Sequence, residues 1–550
     1  MRMRGSLGGA AVPGREVQGV PARGHEGPRH QSLSRPVTNF DPQCLGLAHH
    51  AAAFPDKPAL VLEEQTLTYG ALNARVNRLA WALRRAGVGA GDAVAAVLSN
   101  GFEWLELLNA AGKLGARVVP VGYRLKGPEI AYMVADAGAK LVVGAPDLHS
   151  EIDRAMAELN WSDDALWVTG AEAPWRGQAY EAALAAQPAV EPEGGFVGGG
   201  FNVLIYTSGT TGRPKGIERA VDPAVAHLTL ASVAALWGFG AADVHLVAGP
   251  LYHTGPGSYA QLHVLVGGTV VLLPHFDALQ ALRLIECHRV TNTFMVPTHF
   301  SRILQLDAAE RRRYDLSSLR RVLHSAAPCP AHVKRGIVDV FPPGVVTEFY
   351  GASESGFSMI TAEEWLKKPG SVGRPWPLHE IRIFGEDGTV CAPGEIGLIH
   401  VRGPHLGFRY RNADDKNRAA FRDGFFTAGD LGYLDGDGYL FIADRRTDLI
   451  ITGGANVYPA EVESILMAHP KIADVAVVGV PDPDMGKSVL AVVELRPGER
   501  GCAEEIIAFA RRDLAHYKCP RRVEFVEHLP REPQGKVRKR ELVQRYGAQG

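Results

Sequence analysis

Between Leu204 and Gly216 the chain reads Leu-Ile-Tyr-Thr-Ser-Gly-Thr-Thr-Gly-Arg-Pro-Lys-Gly, and this stretch restricts what can surround it. Val203 to Tyr206, β-branched and aromatic, predicts a short strand. The strand runs into Thr207, Ser208, Gly209, Thr210, Thr211 and Gly212, and the loop closes on Lys215. Glycines let the main chain approach an anion, hydroxyls and N–H groups donate to it, and the lysine adds charge. That is a phosphate cradle. It is not the Walker pattern, because no Gly stands five positions before a Gly-Lys-Ser/Thr. A flexible linker of the same composition would not follow a buried strand and end in Pro-Lys-Gly.

A chain of 550 residues is too long for one ordinary core, so two or more domains are expected. The hydrophobic share of 46 % fits a globular protein, and a formal net charge of −2 argues against nucleic acid. The basic triplet Arg311-Arg312-Arg313 reads as a solvated helix face. Six cysteines without a C-x-x-C pair speak against a disulfide framework and a structural zinc site. They favour a reducing, cytoplasmic setting. Residues 1–35 are rich in Gly, Pro and Arg and have no apolar run, so a disordered tail or a start-codon artefact is expected rather than a signal peptide. No run of eighteen apolar residues predicts a transmembrane helix.

Helix-like and strand-like periods alternate from Cys44 onward. Leu72, Val76, Leu79 and Leu83 fall at helical spacing. Ala93 to Leu98, Ala116 to Val121, Lys140 to Gly144 and Gly268 to Leu273 read as buried strands, and Trp104 to Leu114 as a helix. Alternation of this kind predicts a parallel α/β sheet. Asp435-Gly436-Asp437-Gly438 lacks the glutamate that closes a calcium loop, so it predicts a hairpin turn. The pattern changes near Thr447, after which a compact α+β segment follows.

The loop at 204–216 closely resembles the signature of the adenylate-forming superfamily, which includes acyl- and aryl-CoA synthetases, peptide-synthetase adenylation domains and luciferases. Tyr350-Gly351-Ala352-Ser353-Glu354 resembles its second motif and Thr427-Ala428-Gly429-Asp430 its third. Asp444 to Asp448 with Gly453 to Glu463 resembles its fourth, and Pro530-Arg531 with Gly535-Lys536-Val537 its last. The resemblance implies a fold of class α/β, with a large multi-sheet N-terminal domain (36–446) and a small, mobile α+β C-terminal domain (447–550). It also implies roles. Thr207, Ser208, Gly209, Thr210, Thr211 and Lys215 hold the pyrophosphate part of ATP. Ser353 donates to the α-phosphate, and Glu354 helps bind Mg²⁺. Tyr350 and Gly351 lie beside the adenine with Ser325, Ala326 and Ala327; simple tight packing stands as the other reading of these small residues. Asp430 and Arg445 hold the ribose, though an Asp after Gly also caps turns. Lys536 reaches from the small domain to the reacting carboxylate and α-phosphate. Gly453 and Gly454 line a tunnel for coenzyme A, a co-substrate. Thr447 stands where the family's hinge is usually Asp or Lys. His253 either borders the carboxylate or gates the thiol tunnel, or is a hydrogen-bonded core residue.

Candidate acyl-pocket residues are His253, Gly255, Gly257, Ser258, Val296, Thr298, His324, Ser325, Ala326 and Phe357. Gly255, Gly257 and Ser258 suggest room for a chain or ring, and His324 either makes the pocket partly polar or faces away. No acidic residue stands between Tyr252 and Tyr259, so burying an α-ammonium would be costly and an amino acid is disfavoured. The expected reaction is an acyl-CoA synthetase's, with a fatty, aryl or alicyclic acid. An acyl-AMP ligase serving a carrier protein and a non-catalytic adenylate binder are the alternatives. Oligomeric state is open, a homodimer included.

Overall fold

The computed structural model describes residues 45–170, 173–193, 202–207, 214–219, 223–404, 406–445, 447–452, 455–532 and 535–547, with main chain alone at 223–228. The tail predicted at 1–35 lies outside these residues.

The helix Tyr69–Arg85 forms where the sequence predicts it. Thr68 caps it by accepting from the Ala71 N–H, and Leu72, Val76, Leu79 and Leu83 are all buried. Each such side chain contributes about 1.5–3 kcal/mol by leaving water. The helix Phe102–Leu114 ends at Gly115, whose φ of 68° is left-handed and suits glycine. These helices cover one face of a five-stranded parallel sheet ordered Arg117–Pro120, Ala93–Val97, Ala139–Gly144, Leu166–Val168, Gln178–Ala179. Every residue of Ala93–Val97 is buried, as expected for a parallel strand covered on both faces.

A second, larger sheet carries six parallel strands in the order Pro58–Leu62, Thr269–Leu272, Val244–Val247, Asn292–Met295, Arg321–His324, Val346–Ala352. It continues through antiparallel Ser355–Thr361 and Ser371–Pro375 into a strand set containing Leu440–Arg445, Asp430–Leu434 and Gly397–Arg402. A small sheet pairs Ile205–Thr207 with Lys215–Arg219, and the latter with Phe408–Tyr410. Just before the small sheet, Val203 bridges to Val118 of the five-stranded sheet. The Asp435–Gly438 turn is a hairpin: Asp435 N–H donates to the Tyr439 carbonyl, and Lys368 pairs with Asp435 and Asp437. Arg311 departs from the expected solvated face. Its guanidinium donates to the carbonyls of Leu304 and Leu306, closing off the end of Pro297–Gln305.

The smaller C-terminal domain is α+β. Strands Ile472–Asp482, Gly486–Leu495 and Arg522–Val526 form its sheet, and the helices Pro459–Leu466 and Ala503–Ala510 bury Val462, Leu466 and Ile506 against it. Among the described residues no helix is long and apolar enough to cross a membrane.

Asp444 ties the last strand of the large domain to this second unit. Its carboxylate accepts from the Arg445 N–H at 2.7 Å and from the Ala460 N–H at 2.9 Å, at the start of Pro459–Leu466. Burial outweighs nearby Lys539 and these donors, and pushes its carboxyl up to about 6. The folded chain therefore holds this proton more tightly than the unfolded chain, whose Asp titrates near pH 4. The contribution to stability is present below about pH 4 and is lost as pH rises to about 6. Asp444→Asn removes that dependence. Relative to the parent it should gain about 2–3 kcal/mol between pH 4 and pH 7. Urea unfolding of both proteins at the two pH values measures this; an unchanged difference rejects it.

Candidate functional site

The second motif folds as a tight hairpin. Ala352 pairs with Ser355, leaving Ser353 and Glu354 as the two turn residues. Gly351 permits the close return, since a Cβ there would stand 2.5 Å from the Ser355 carbonyl oxygen. Glu354 is buried although it sits at a hairpin tip. Tyr410 explains how: its phenol donates to Glu354 Oε1 at 2.5 Å. Arg219, at the end of the strand that leaves the phosphate loop, donates to the Glu354 carbonyl at 2.5 Å and the Ser353 carbonyl at 3.3 Å. Thr207 and Lys215 face each other at the mouth of that loop. Thr207 Oγ1 is buried with no hydrogen-bond partner among the described residues. Ser208, Gly209, Thr210 and Thr211 lie outside those residues, as do Gly453 and Gly454.

Tyr350, Asp430 and Arg445 form one cluster. The Tyr350 phenol donates to Asp430 Oδ2 at 2.6 Å, and Arg445 Nε pairs with Asp430 Oδ1 at 3.1 Å. Asp430 and Arg445 stand opposite each other on paired strands, so the sheet register itself fixes the ion pair. Burial raises the Tyr350 phenol well above its usual range, with Asp430 adding to the shift, so it acts as a donor.

Lys536 comes from the other domain. Its loop is a tight turn in which Gly535 N–H donates to the Glu532 carbonyl and Glu532 N–H to the Lys536 carbonyl. Arg531 anchors it, with Nε on Asp474 at 3.0 Å. Gly535 has φ 88°, and a Cβ there would meet Thr298 Cγ2 at 2.7 Å. The turn therefore docks directly on the first turn of Pro297–Gln305. Burial, then the Arg445 guanidinium, holds the Lys536 ammonium below the ordinary lysine range, while Glu532, Asp448 and Asp430 oppose the shift. Lys536 thus lies within electrostatic reach of the Asp430–Arg445 pair.

Ser325 and Ala327 follow the strand Arg321–His324, and Ala326 between them has φ 76°. A left-handed alanine costs about 1–2 kcal/mol. Ala326→Gly should raise stability by roughly 1 kcal/mol, read from denaturant unfolding. A loss of stability would contradict the left-handed backbone.

The predicted pocket residues separate into different surroundings. His324 faces away: it is fully buried on the far side of the sheet, edge-on to Phe300 and beside Lys334. Gly255 and Gly257 do not open space. A Cβ at Gly255 would meet the Phe294 ring at 2.6 Å, and one at Gly257 the Leu251 carbonyl oxygen at 2.3 Å. Their role is the close seating of Thr254–Leu265. Phe357 is core, packed between Tyr350 and Phe426. Val296 joins the aromatic cluster of Trp237, Tyr259, Phe294 and Trp376, and Ser258 lies on the helix Thr254–Leu265. His253 precedes that helix with Nε2 buried and unpartnered among the described residues. Burial, with Arg124 adding to it, pushes its imidazole down to about 4, so it is neutral near pH 7. Sequence reasoning missed Arg219 and Tyr410, which reach the Glu354 hairpin from the paired strands Lys215–Arg219 and Phe408–Tyr410, and Lys416, which stands over the Tyr410 ring.

A large layered α/β domain, against which the Gly535–Lys536 turn of a smaller α+β domain packs, has the architecture of an adenylate-forming enzyme. Residues 47–410 match the family described as AMP-binding enzyme and residues 461–536 match the AMP-binding enzyme C-terminal domain. The chain belongs to the AMP-binding enzymes. It is 37 % identical over 493 residues to feruloyl-CoA synthase of Amycolatopsis sp, an alignment covering 88 % of this chain and 94 % of the relative. It is 34 % identical to the long-chain-fatty-acid–CoA ligase FadD13 of Mycobacterium tuberculosis, over 88 % of this chain and 93 % of the other. Its fold is similar to that of o-succinylbenzoate CoA synthetase from Bacillus subtilis in complex with the acyl-adenylate intermediate, with TM-score 0.78, 31 % identity, and coverage of 90 % and 97 %.

Proposed function

We propose that this enzyme is an AMP-forming acyl-CoA synthetase, and that its site residues act as follows. The observation that supports the reading is the docking of Gly535 on Thr298, with Lys536 within electrostatic reach of the Asp430–Arg445 pair. In the first half-reaction a carboxylate oxygen attacks the α-phosphorus of ATP. The bond to the β-phosphate bridging oxygen breaks, and pyrophosphate leaves with that electron pair. Both reactants are anionic, so the site must neutralise charge and hold the atoms in line. Lys536 supplies a cation between carboxylate and α-phosphate. Thr207 and Lys215 contact the leaving pyrophosphate, together with the loop residues Ser208 to Thr211. Asp430 accepts from the ribose hydroxyls, held in place by Tyr350 and Arg445. Ser325, Ala326 and Ala327 make the wall against the adenine.

Glu354 and Thr207 suit Mg²⁺ as hard oxygen donors. Mg²⁺ is commonly held by one or two carboxylates together with substrate phosphates. Bound there, Mg²⁺ would offset phosphate charge; Tyr410 keeps the Glu354 carboxylate aimed. In the second half-reaction the CoA sulfur, having lost its proton to solvent, attacks the acyl carbon; the bond from that carbon to the AMP phosphate oxygen breaks, and AMP leaves with the electron pair. Thr447, whose hydroxyl donates to Asp448 at 3.2 Å, stands at the junction about which the small domain would turn between the two steps. Neutral His253 cannot contribute a positive charge near pH 7, which favours a hydrogen-bonding or gating role.

The deciding experiment supplies ATP, Mg²⁺ and CoA with a panel of fatty, aryl and alicyclic acids, and follows pyrophosphate and acyl-CoA. Acyl-CoA from one acid class supports the reading and names the substrate. Acyl-AMP and pyrophosphate without thioester would replace CoA by a carrier protein. Absence of both products, with MgATP bound, would favour a non-catalytic adenylate binder.

A further inference from the structure

Lys416 is a cation that the reading above leaves unused. It lies on the short helix Asp414–Ala420, and its ammonium stands 3.5 Å from the centroid of the Tyr410 ring. Tyr410 is the residue whose phenol holds Glu354. The next residue, Asn417, fixes this arrangement from the other side: its Oδ1 accepts from the Tyr410 N–H at 2.7 Å, and its Nδ2 donates to the Tyr410 carbonyl at 2.8 Å. Helix and strand are thereby clamped together, with the lysine ammonium over the aromatic face. Glu354 and Lys215 are both within electrostatic reach of the Lys416 ammonium. Lys215 in turn pairs across its hairpin with Thr207, whose buried hydroxyl lacks a partner among the described residues.

Arg219 and Lys416 therefore both lie within electrostatic reach of Glu354, and Lys215, which opens the strand Lys215–Arg219, lies within reach of Lys416. Arg219 is turned to the main chain of Ser353 and Glu354. Lys215 and Lys416 repel each other, and burial also disfavours the charge on Lys416. Two ammonium groups held near each other and partly out of water are costly unless an anion joins them. A polyphosphate carries the required charge and the oxygen acceptors.

We infer that Lys416 is a phosphate-binding residue, which reaches over Tyr410 to contact the β- and γ-phosphates of ATP and the pyrophosphate they become. This rests on the proposed adenylating function. Its electrostatic part acts on the leaving group: Lys416 stabilises the negative charge that collects on pyrophosphate as the α–β bond breaks.

The test is direct binding, which needs no knowledge of the acid. Mg-pyrophosphate, MgATP and AMP are titrated calorimetrically into the full-length enzyme, Lys416→Met and Lys416→Arg. Methionine keeps a stem on the ring and removes the charge. Pyrophosphate and ATP should bind about tenfold more weakly to Lys416→Met, AMP within about twofold of the parent, and Lys416→Arg should recover most of the loss. The tenfold gap should narrow as salt is raised. Equal pyrophosphate and ATP affinity in parent and Lys416→Met would overturn the inference, as would an equal loss for AMP. A fall in melting temperature with unchanged affinities would also overturn it, leaving Lys416 only a packing role. If the parent itself binds neither MgATP nor pyrophosphate, the proposed function fails first and the inference with it.

Discussion

Lys536→Ala should lower the rate of acyl-adenylate formation by 10²–10³-fold or more, on the order of several kcal/mol of lost transition-state stabilisation. The magnitude follows from the setting. The ammonium is half-buried and lies near the Asp430–Arg445 pair, so its field is less screened than that of a surface lysine. It is also delivered by a turn clamped between Arg531 and Thr298, so little reorganisation is required at the moment of reaction. The fold should survive, because Lys536 takes no part in either core of the small domain. ATP–pyrophosphate exchange measures the adenylation step alone. Supplying chemically prepared acyl-AMP with CoA measures the second step alone, and this should be affected far less. Equal losses in both steps would remove Lys536 from its specific role. Retention of exchange would remove it from the first step altogether.

Asp430→Ala should lower kcat/KM for ATP by about 10²–10³-fold, most of it in KM. Two costs combine. The buried carboxylate is the acceptor for Tyr350 and the ion-pair partner of Arg445, and truncation strands both. The proposed acceptor for the ribose hydroxyls also disappears. Asp430→Asn keeps the shape and one acceptor oxygen, and should lose less. The nucleotide supplies an internal control. The parent should discriminate against 2′-deoxy-ATP or 3′-deoxy-ATP, and Asp430→Ala should discriminate less against at least one. Initial rates at varied nucleotide measure this. A KM within about threefold of the parent, with discrimination intact, would assign ribose recognition elsewhere.

Much of the fold was legible because its signals are local. Helical spacing at Leu72, Val76, Leu79 and Leu83 needs no distant partner to be read, and all four are buried in Tyr69–Arg85. The same holds for the continuous apolar run at Ala93–Val97. Motif order placed Tyr350, Glu354, Asp430 and Lys536 in one reading, and the structure brings Tyr350 and Asp430 into hydrogen-bond contact across 80 residues. The pocket was read less well. Gly255 and Gly257 looked like open space, but small residues serve close packing equally well. The difference lies in whether Phe294 or a ligand occupies the gap. His324 was ambiguous for a related reason. A strand alternates its faces, and which face meets the site depends on the helices packed beyond it, here the one carrying Lys334.

What the sequence determined by itself is the alternating α/β order, the hairpin turn at Asp435–Gly438 and the α+β character of the C-terminal segment. Each rests on side-chain period or on the conformational freedom of glycine, which act over a few residues. What only the tertiary structure decided is the company these residues keep. Tyr410 reaches Glu354 across 56 residues, and Arg219 reaches the same hairpin across 135. Lys416 and Lys215 come within electrostatic reach of each other although neither is near the other in sequence. Such contacts depend on the register of three sheets and on one domain docking against another. That register is a property of the whole packed chain rather than of any segment in it, because a shift of one residue in a strand would turn every one of its side chains to the opposite face.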